Sequence, residues 1–406
     1  MIMTHKKRLL ATLNGLETDQ LPFVPRMDIW YRANKKNGTL PSKYKSCSLE
    51  EILDDLNFGY HAIIPNFQDL RSKDDDIDRG LGIYRLWSMP YKACLRNVQK
   101  KVTNEADTTT VEYFTPVGNV RTKILFDESM RKAGITITHI LEHAIKSSND
   151  IEALSYIFEN IEVVPNYEGY DIFKETIGEK GLAVAYTFLA ASPMHFIMRD
   201  IIRIDDFFLM IFDNPERIQF LEKKIEEFYN KVFEVVNKCS AEVVLCGANY
   251  DSAVTNPIFF EKFITPTLSN LADNLHRNGK FLLTHTDGEN TGLLEQYINA
   301  KIDVADSVCP SPMTKLTIKE YRQIFTNKIT IWGAIPSVSL LENSMSDHQF
   351  TKYMEKLLED IGGGDHIILS VADTLPPAAK FERILLIAKM AREFGQIRTR
   401  ELVASK

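Results

Sequence analysis

Eight short runs of apolar and β-branched residues recur along the chain, each stopping at small or polar residues. They are LPFVPRMDIW (21–30), HAIIPNF (61–67), LAVAYTF (182–188), AEVVLCG (241–247), KFLLTHTDG (280–288), KIDVADSVC (301–309), KITIWGAI (328–335) and HIILSVAD (366–373). Runs of this length without polar alternation read as strands buried on both faces. Between most of them lie longer segments with helical periodicity, such as SLEEILDDLNFG, NPERIQFLEKKIEEFYNKVFEVVNKC and PIFFEKFITPTLSNLADNLHRNG. Several open at capping residues or prolines and close at Gly or Asn, as at Gly59 and Gly279. The alternation predicts an α/β fold, a closed parallel (β/α)8 TIM barrel, with a doubly wound open sheet as the alternative. Residues 68–180 break the rhythm. ACLRNVQKKVT, TTTVEYFTPVG and NVRTKILFDE alternate as antiparallel strands do, and two or three short helices follow. This interval reads as an insertion on the second or third βα loop of a single barrel spanning 1–406, on the face where barrel active sites sit.

Composition narrows the functional classes. A net charge of -7 and 25% charged residues leave no basic face for nucleic acid. No window reaches the roughly 18 apolar residues of a membrane span, and the amino-terminal stretch has no uninterrupted apolar core. The expectation is a cytoplasmic protein with neither nucleic-acid nor membrane partners. Five cysteines, an odd number with no CxxC pair, fit reduced thiols better than a disulfide framework.

In a barrel the carboxyl ends of all strands converge on one mouth, so the residues there can be read together. They are Arg26 and Asp28; Asn66; Tyr186 and Thr187; Cys246, Asn249 and Asp251; His285, Asp287 and Glu289; Asp306 and Cys309; Trp332 and Gly333; and Asp373. Such a basin can bind a metal, run acid–base chemistry or form a solvated polar rim. His285 and Asp287 stand two apart at a strand end, where i and i+2 point the same way. With Asp373 they make one imidazole and two carboxylates, a set suited to a catalytic Zn2+ or Fe2+ with an open position. No Ser lies in a GxSxG context and no Cys has a His nearby, so nucleophilic catalysis has little support. The GGGD run at 362–365 precedes a strand and lacks the Lys-Ser/Thr of a phosphate loop. Trp30, Tyr31, Phe67, Tyr186, Phe188, Tyr250 and Trp332 are aromatics that could wall a pocket for a flat ligand.

RLLATLNGLETDQLPFVPR, PIFFEKFITPTLSNLADNLHRNGK followed by FLLTHTDG, IDVADSV with ITIWGAI, and ILSVADTLPPAAKFERI together resemble the uroporphyrinogen decarboxylase superfamily over nearly the whole chain. TPVGNVRTKILF is similar to its corrinoid-dependent methyltransferase branch. The decarboxylases carry two arginines in a stretch close to WYRANKKNGTLPSKY; here Arg32 matches, and Asn37 falls at the second position, which argues against porphyrinogen decarboxylation. Thiol-specific members of the methyltransferase branch hold zinc with a His-x-Cys pair and a later Cys. This chain keeps His285, but Asp287 and Asp373 fall on the two cysteines. The resemblance therefore implies a Zn2+ site of harder ligands, His285, Asp287 and Asp373, with Glu289 and Cys309 in reserve.

Carboxylate ligands leave a metal a stronger Lewis acid than thiolates do, which favours an ether oxygen over a thiol. The implied activity is O-demethylation of a methoxylated aromatic, the methyl group passing to cobalt(I) of a separate corrinoid (cobalamin) protein. No DxHxxG pattern occurs in this chain. Asp251, Asn249 and Tyr186 are the candidates to orient or protonate the leaving oxygen. Arg26 and Arg32 are candidates for a substrate carboxylate, and Trp30, Tyr250 and Trp332 for its ring. The alternatives are a decarboxylase-like enzyme, another methyl donor (methylamine, methanol or a thiol), or a barrel that only binds.

Overall fold

The computed structural model describes residues 2–63 and 75–404, with side chains to residue 394. Twelve strands occur among the described residues: β1 (Tyr91–Leu95), β2 (Gln99–Glu105), β3 (Thr108–Thr115), β4 (Gly118–Leu125), β5 (His139–Glu142), β6 (Ile161–Pro165), β7 (Val184–Phe188), β8 (Val243–Ala248), β9 (Phe281–His285), β10 (Val304–Val308), β11 (Thr330–Ile335) and β12 (Ile367–Val371). Strands β7 to β12 pair in chain order as one parallel sheet. Two short extended segments carry its edges toward each other. Pro22–Val24 lies along β12, with Val24 N–H donating to Leu369 O at 2.9 Å and Leu369 N–H to Pro22 O at 2.9 Å. Gly59 N–H reaches Phe23 O at 3.2 Å, and the same segment joins β7 through Tyr60 N–H to Lys180 O at 2.8 Å and Val184 N–H to Ala62 O at 3.0 Å. The result is the α/β arrangement of a TIM barrel, six regular strands and two abbreviated ones.

The burial of the strands explains their composition. Every residue of β7, β8, β10, β11 and β12 is buried, because a parallel sheet under helices has no wet face. The first apolar run behaves differently from expectation: only its start is extended, and Asp28–Asn37 is a helix closed by Gly38 in the left-handed conformation. Asn66 and Phe67, at the end of the second run, lie outside the described residues. Helices begin where the chain supplies caps, with reciprocal capping boxes at Ser48/Glu51, Thr317/Glu320 and Ser346/Gln349. Among the described residues no helix is long and apolar enough to cross a membrane.

The 23-residue helix Pro215–Asn237 starts with Pro at its first turn and buries Ile218, Leu221, Ile225, Phe228, Tyr229, Val232, Phe233 and Val236 along one face. Its Glu222 is half-buried with Glu226 one turn on, and burial and then that like charge push its pKa up to about 7. An acid whose folded pKa exceeds its unfolded value costs stability as pH rises from about 4.5 to about 7, and the cost stays constant above that. Glu222→Gln should therefore stabilise the protein at pH 8 by up to about 1 kcal/mol after allowance for partial exposure, and leave it unchanged at pH 4, as read by urea unfolding at both pH values.

Between the second abbreviated strand and β7 the chain builds two antiparallel sheets, β1 with β6 and the meander β2-β3-β4-β5. The Thr115–Gly118 pair closes the β3–β4 hairpin around Pro116 and Val117. Helices Glu128–Lys132, Asp150–Glu159 and Tyr167–Ile177 fill the rest of this interval. The sheet contacts the segment before β1: Tyr113 of β3 donates its hydroxyl to buried Asp78 at 2.8 Å.

Candidate active site

Local strain marks one end of the barrel. Asn249, Ser307, Ala334 and Asp373 adopt positive φ angles of 60, 62, 78 and 53°, all at or near carboxyl ends of strands, and the β7/β8, β8/β9 and β10/β11 pairings shift register there. Such departures re-aim side chains and gather where a protein binds or reacts.

Strand register places the central groups. His285 of β9 pairs with Asp306 of β10, which pairs with Trp332 of β11, so the three side chains project on the same face of the sheet. His285 Nδ1 lies 2.6 Å from Asp306 Oδ2, with both residues 2% exposed. His61 Nε2 approaches the other carboxylate oxygen at 3.8 Å, and its ring stands edge-on to Trp332 at 5.9 Å. The second nitrogen of His285, Nε2, faces Asp373 Oδ1 at 3.4 Å. Arg26 closes the row, donating through Nη1 to Asp373 at 3.0 Å and through Nε to Asp28 at 3.2 Å.

This alternation of charge sets the protonation states. Burial opposes the imidazolium of His285, yet its bonds to Asp306 and Asp373 prevail and hold it up at about 9. Burial likewise opposes the Asp306 carboxylate, and His285 and His61 pull it well below the usual range. Asp373, whose side chain keeps 41% of its surface open at the mouth, is drawn to about 2 by His285 and Arg26 against its own desolvation. Asp287 moves the other way: burial, then the neighbouring Asp373 charge, raise its pKa. The loop that carries it is pinned by Thr286 N–H to Asp306 O at 2.7 Å, and Gly288 at φ 126° passes so close to Tyr250 that a Cβ would stand 2.2 Å from its carbonyl oxygen.

The other sequence candidates distribute as follows. Asn249 is exposed at the mouth, its N–H bonded to His285 O at 2.9 Å. Asp251 caps the turn after β8, accepting from Ala253 N–H at 2.8 Å and from Glu289 N–H at 3.4 Å. Trp30 is 2% exposed and stacks on Phe381 at 5.4 Å, which makes it core packing and not a ring-binding wall. Tyr250 is fully buried with its hydroxyl 2.6 Å from Thr284 Oγ1, and Tyr186 is 4% exposed against the Tyr84 ring. Neither tyrosine opens to solvent. Trp332 is also fully buried, though its indole N–H has no partner.

Arg26 is held by Asp28 and Asp373, so it serves the site's own charges; Arg32 is half-buried beside Asp28. Glu289 accepts from Thr291 and from Lys315 N–H, and the Cys309 thiol, 1% exposed, is pushed up to about 12 by burial and by Asp287 and Asp373. Asp306 and His61 are the groups that sequence reasoning left without a role. Their signal was the pairing of IDVADSV with the strand before it, which only register makes readable.

Residues 112–394, well over half of the chain, match the family model described as uroporphyrinogen decarboxylase (URO-D). The chain belongs to the URO-D family. His285, Asp287, Asp306 and Asp373 lie inside the URO-D match, and Arg26 and His61 precede it. No curated protein sequence matches the chain. A solved structure of a methyltransferase from Methanosarcina mazei resembles it with a TM-score of 0.50 at 15% identity, over 96% of this chain and 98% of that one, a likeness of fold.

Proposed function

We propose that this URO-D family protein is a corrinoid-dependent methyltransferase that takes the methyl group of a methoxylated aromatic and passes it to cobalt(I) of a separate corrinoid protein. One observation carries the reading: His285 gives Nδ1 to a buried carboxylate and turns Nε2 toward a second carboxylate at the open mouth. A carboxylate behind one imidazole nitrogen, with the other nitrogen left to face a ligand site, is the usual support of a metal-binding histidine.

The donor set fits Zn2+. Two ligands at about 2.0–2.1 Å on one tetrahedral ion lie roughly 3.3 Å apart. The His285 to Asp373 separation is 3.4 Å. Among the described residues no three His, Cys, Asp or Glu side chains converge on one point, so His285 and Asp373 are the pair spaced for an ion and Asp287 is assigned as the third ligand by the proposal alone. Two carboxylates and a neutral imidazole would balance the ion's charge and leave a position open. When bound, a divalent ion would polarise the ether oxygen as a Lewis acid.

The chain's own residues supply the rest. Asp306 orients His285, Arg26 holds Asp373 in its ionised form, and burial keeps water from the His285–Asp306 pair. We assign Asn249 and Asp251, at the mouth, to orienting the leaving phenolate, which takes up a proton from solvent. The methyl–oxygen bond breaks with its electron pair on oxygen, and the cobalt(I) pair of the corrinoid substrate forms the new bond. The similarity of fold to a methyltransferase from Methanosarcina mazei supports methyl transfer as the reaction class.

The test is to purify the protein, measure its metal, and incubate it with cob(I)alamin and a panel of methoxybenzenes while following the cobalt absorbance. The expected result is about one zinc per chain and methylcobalamin formed with methoxyarenes and not with methanol, methylamine or thioethers. Metal-free protein giving no methylcobalamin with any O-, N- or S-methyl donor would sink the proposal. The family's own description makes decarboxylation of an acidic tetrapyrrole the second reading. Turnover of that substrate without metal would favour it.

A further inference from the structure

After β7 a short helix, Pro193–Phe196, widens into a π-helical turn, Ile197–Ile201. Turns of this kind concentrate at functional sites, and this one carries Arg199 and Asp200. Asp200 is 2% exposed and accepts from Arg79 Nη1 at 2.8 Å and from Arg199 Nη1 at 3.0 and 3.2 Å. Two guanidinium groups thus share one buried carboxylate, which they keep ionised against its own desolvation. Asp76 also acts on Arg79; burial pushes its pKa up, and it accepts from Thr138 Oγ1. Arg79 is 8% exposed, and its Nε–H is buried without any partner. A buried donor on a cationic group with nothing to donate to is rare in folded proteins.

Both arginines line a cavity of about 640 Å³ with an aliphatic side of Met130, Ile135, Ile137 and Ile140 and a polar side that includes Asp127 and His143. Arg199 and His143 also line a second cavity, about 360 Å³, that reaches Asn249 and Asp251 beyond β8. Arg199 and His143 line both, so the two cavities adjoin there, the larger on the side of the insertion. The larger has the size of a small-molecule site, apolar with a few polar groups fixed in place.

We propose that this larger cavity binds a small organic acid, its carboxylate against the guanidinium groups of Arg199 and Arg79 that line it and its apolar body against the Met130, Ile135, Ile137 and Ile140 wall. A water molecule would satisfy Arg79 Nε, but it would not cover that wall. Inorganic phosphate would meet the arginines and leave the wall wet. The charges involved, Arg79, Arg199 and Asp200, are a separate set from His285, Asp306 and Asp373, so the inference stands or falls apart from the metal reading.

The test is calorimetric titration of the whole protein with benzoate, its neutral isostere benzamide and inorganic phosphate. Benzoate should bind saturably and more tightly than benzamide or phosphate. Arg199→Gln should weaken benzoate by about tenfold or more and leave benzamide unchanged, and Arg199→Lys should recover part of the loss. Ile137→Ala, which trims the wall without altering charge, should weaken benzoate and benzamide alike. Asp200 keeps Arg79 as partner in the Arg199 variants, and an unchanged melting temperature would show that they fold. The proposal is overturned if benzoate does not bind at millimolar concentration, if benzamide or phosphate binds as well as benzoate, or if folded Arg199→Gln protein binds benzoate unchanged.

Discussion

Asp373→Ala should strip the protein of zinc and of methyl transfer together while leaving it folded. Loss of a directly coordinating anion should lower metal affinity by more than the roughly 10- to 100-fold that removal of a supporting residue costs. Methyl transfer should fall in the same proportion, since both depend on the one ion. The fold should survive because Asp373 sits at the open, catalytic end of β12 with 41% of its side chain exposed. Its backbone is at φ 53°, where Ala is strained by about 1 kcal/mol and Asn is tolerated. Asp373→Asn is therefore the cleaner companion: it keeps the backbone and hydrogen-bonding shape and removes only the charge.

Asp373 is held at about 2, so its contribution to metal-free stability is present above the ordinary carboxylate value near 3.8 and fades as pH falls through 2. The small loss of stability in the Asn variant should be seen at pH 6 and be gone near pH 2. Dialysed protein assayed for zinc, activity and melting temperature checks all three. Retention of zinc and full activity in Asp373→Ala would remove this residue from the ligand set.

The fold was legible where burial is uniform. Parallel strands covered on both faces appear as unbroken apolar runs, and β7 to β12 all fall on such runs, β8 passing the end of its run by one residue. Pattern failed at 21–30, where Met27, Ile29 and Trp30 look like strand residues but Trp30 is wanted by Phe381 across a helix packing surface. At the mouth, residue type located the chemistry without sorting it. Trp30, Tyr186 and Tyr250 differ from mouth-lining aromatics only in which way the pleat or helix turns them, and that is a matter of register. Arg26 looked available to a substrate because its partners, Asp28 and Asp373, come from opposite ends of the chain. Asp306 looked like any other acid at a strand end until the β9–β10 pairing set it opposite His285. Arg79 and Arg199, brought onto one carboxylate by the insertion and the β7 rim, carried no sequence signal at all.

Asp306→Asn should weaken zinc binding by about 10- to 100-fold although Asp306 would not touch the ion. With the imidazole neutral, as a bound metal would require, the carboxylate accepts from Nδ1–H of His285 and so would leave Nε2 as the lone-pair nitrogen facing the mouth. An amide can instead donate to Nδ1, which moves the ring proton to Nε2 and blocks the ligand position. The metal-free protein gives a second, independent readout. His285 is held at about 9, so the stability of its pair with Asp306 is fully present below the ordinary histidine value near 6.5 and is lost as pH rises through 9.

Breaking a pair this deeply buried costs about 3–5 kcal/mol, and in Asp306→Asn that cost should be largest at pH 6 and shrink toward pH 10. A side chain that served packing alone would show no such slope. His61→Gln is the control, since His61 meets only the far oxygen of Asp306 at 3.8 Å, and it should change zinc affinity by less than about tenfold. Chelator competition at pH 7.5 and urea unfolding across the pH range measure the two effects separately. If Asp306→Asn binds zinc as tightly as the parent while His285→Gln does not, the histidine is a ligand that needs no support from Asp306, and the orienting role assigned to that carboxylate is wrong.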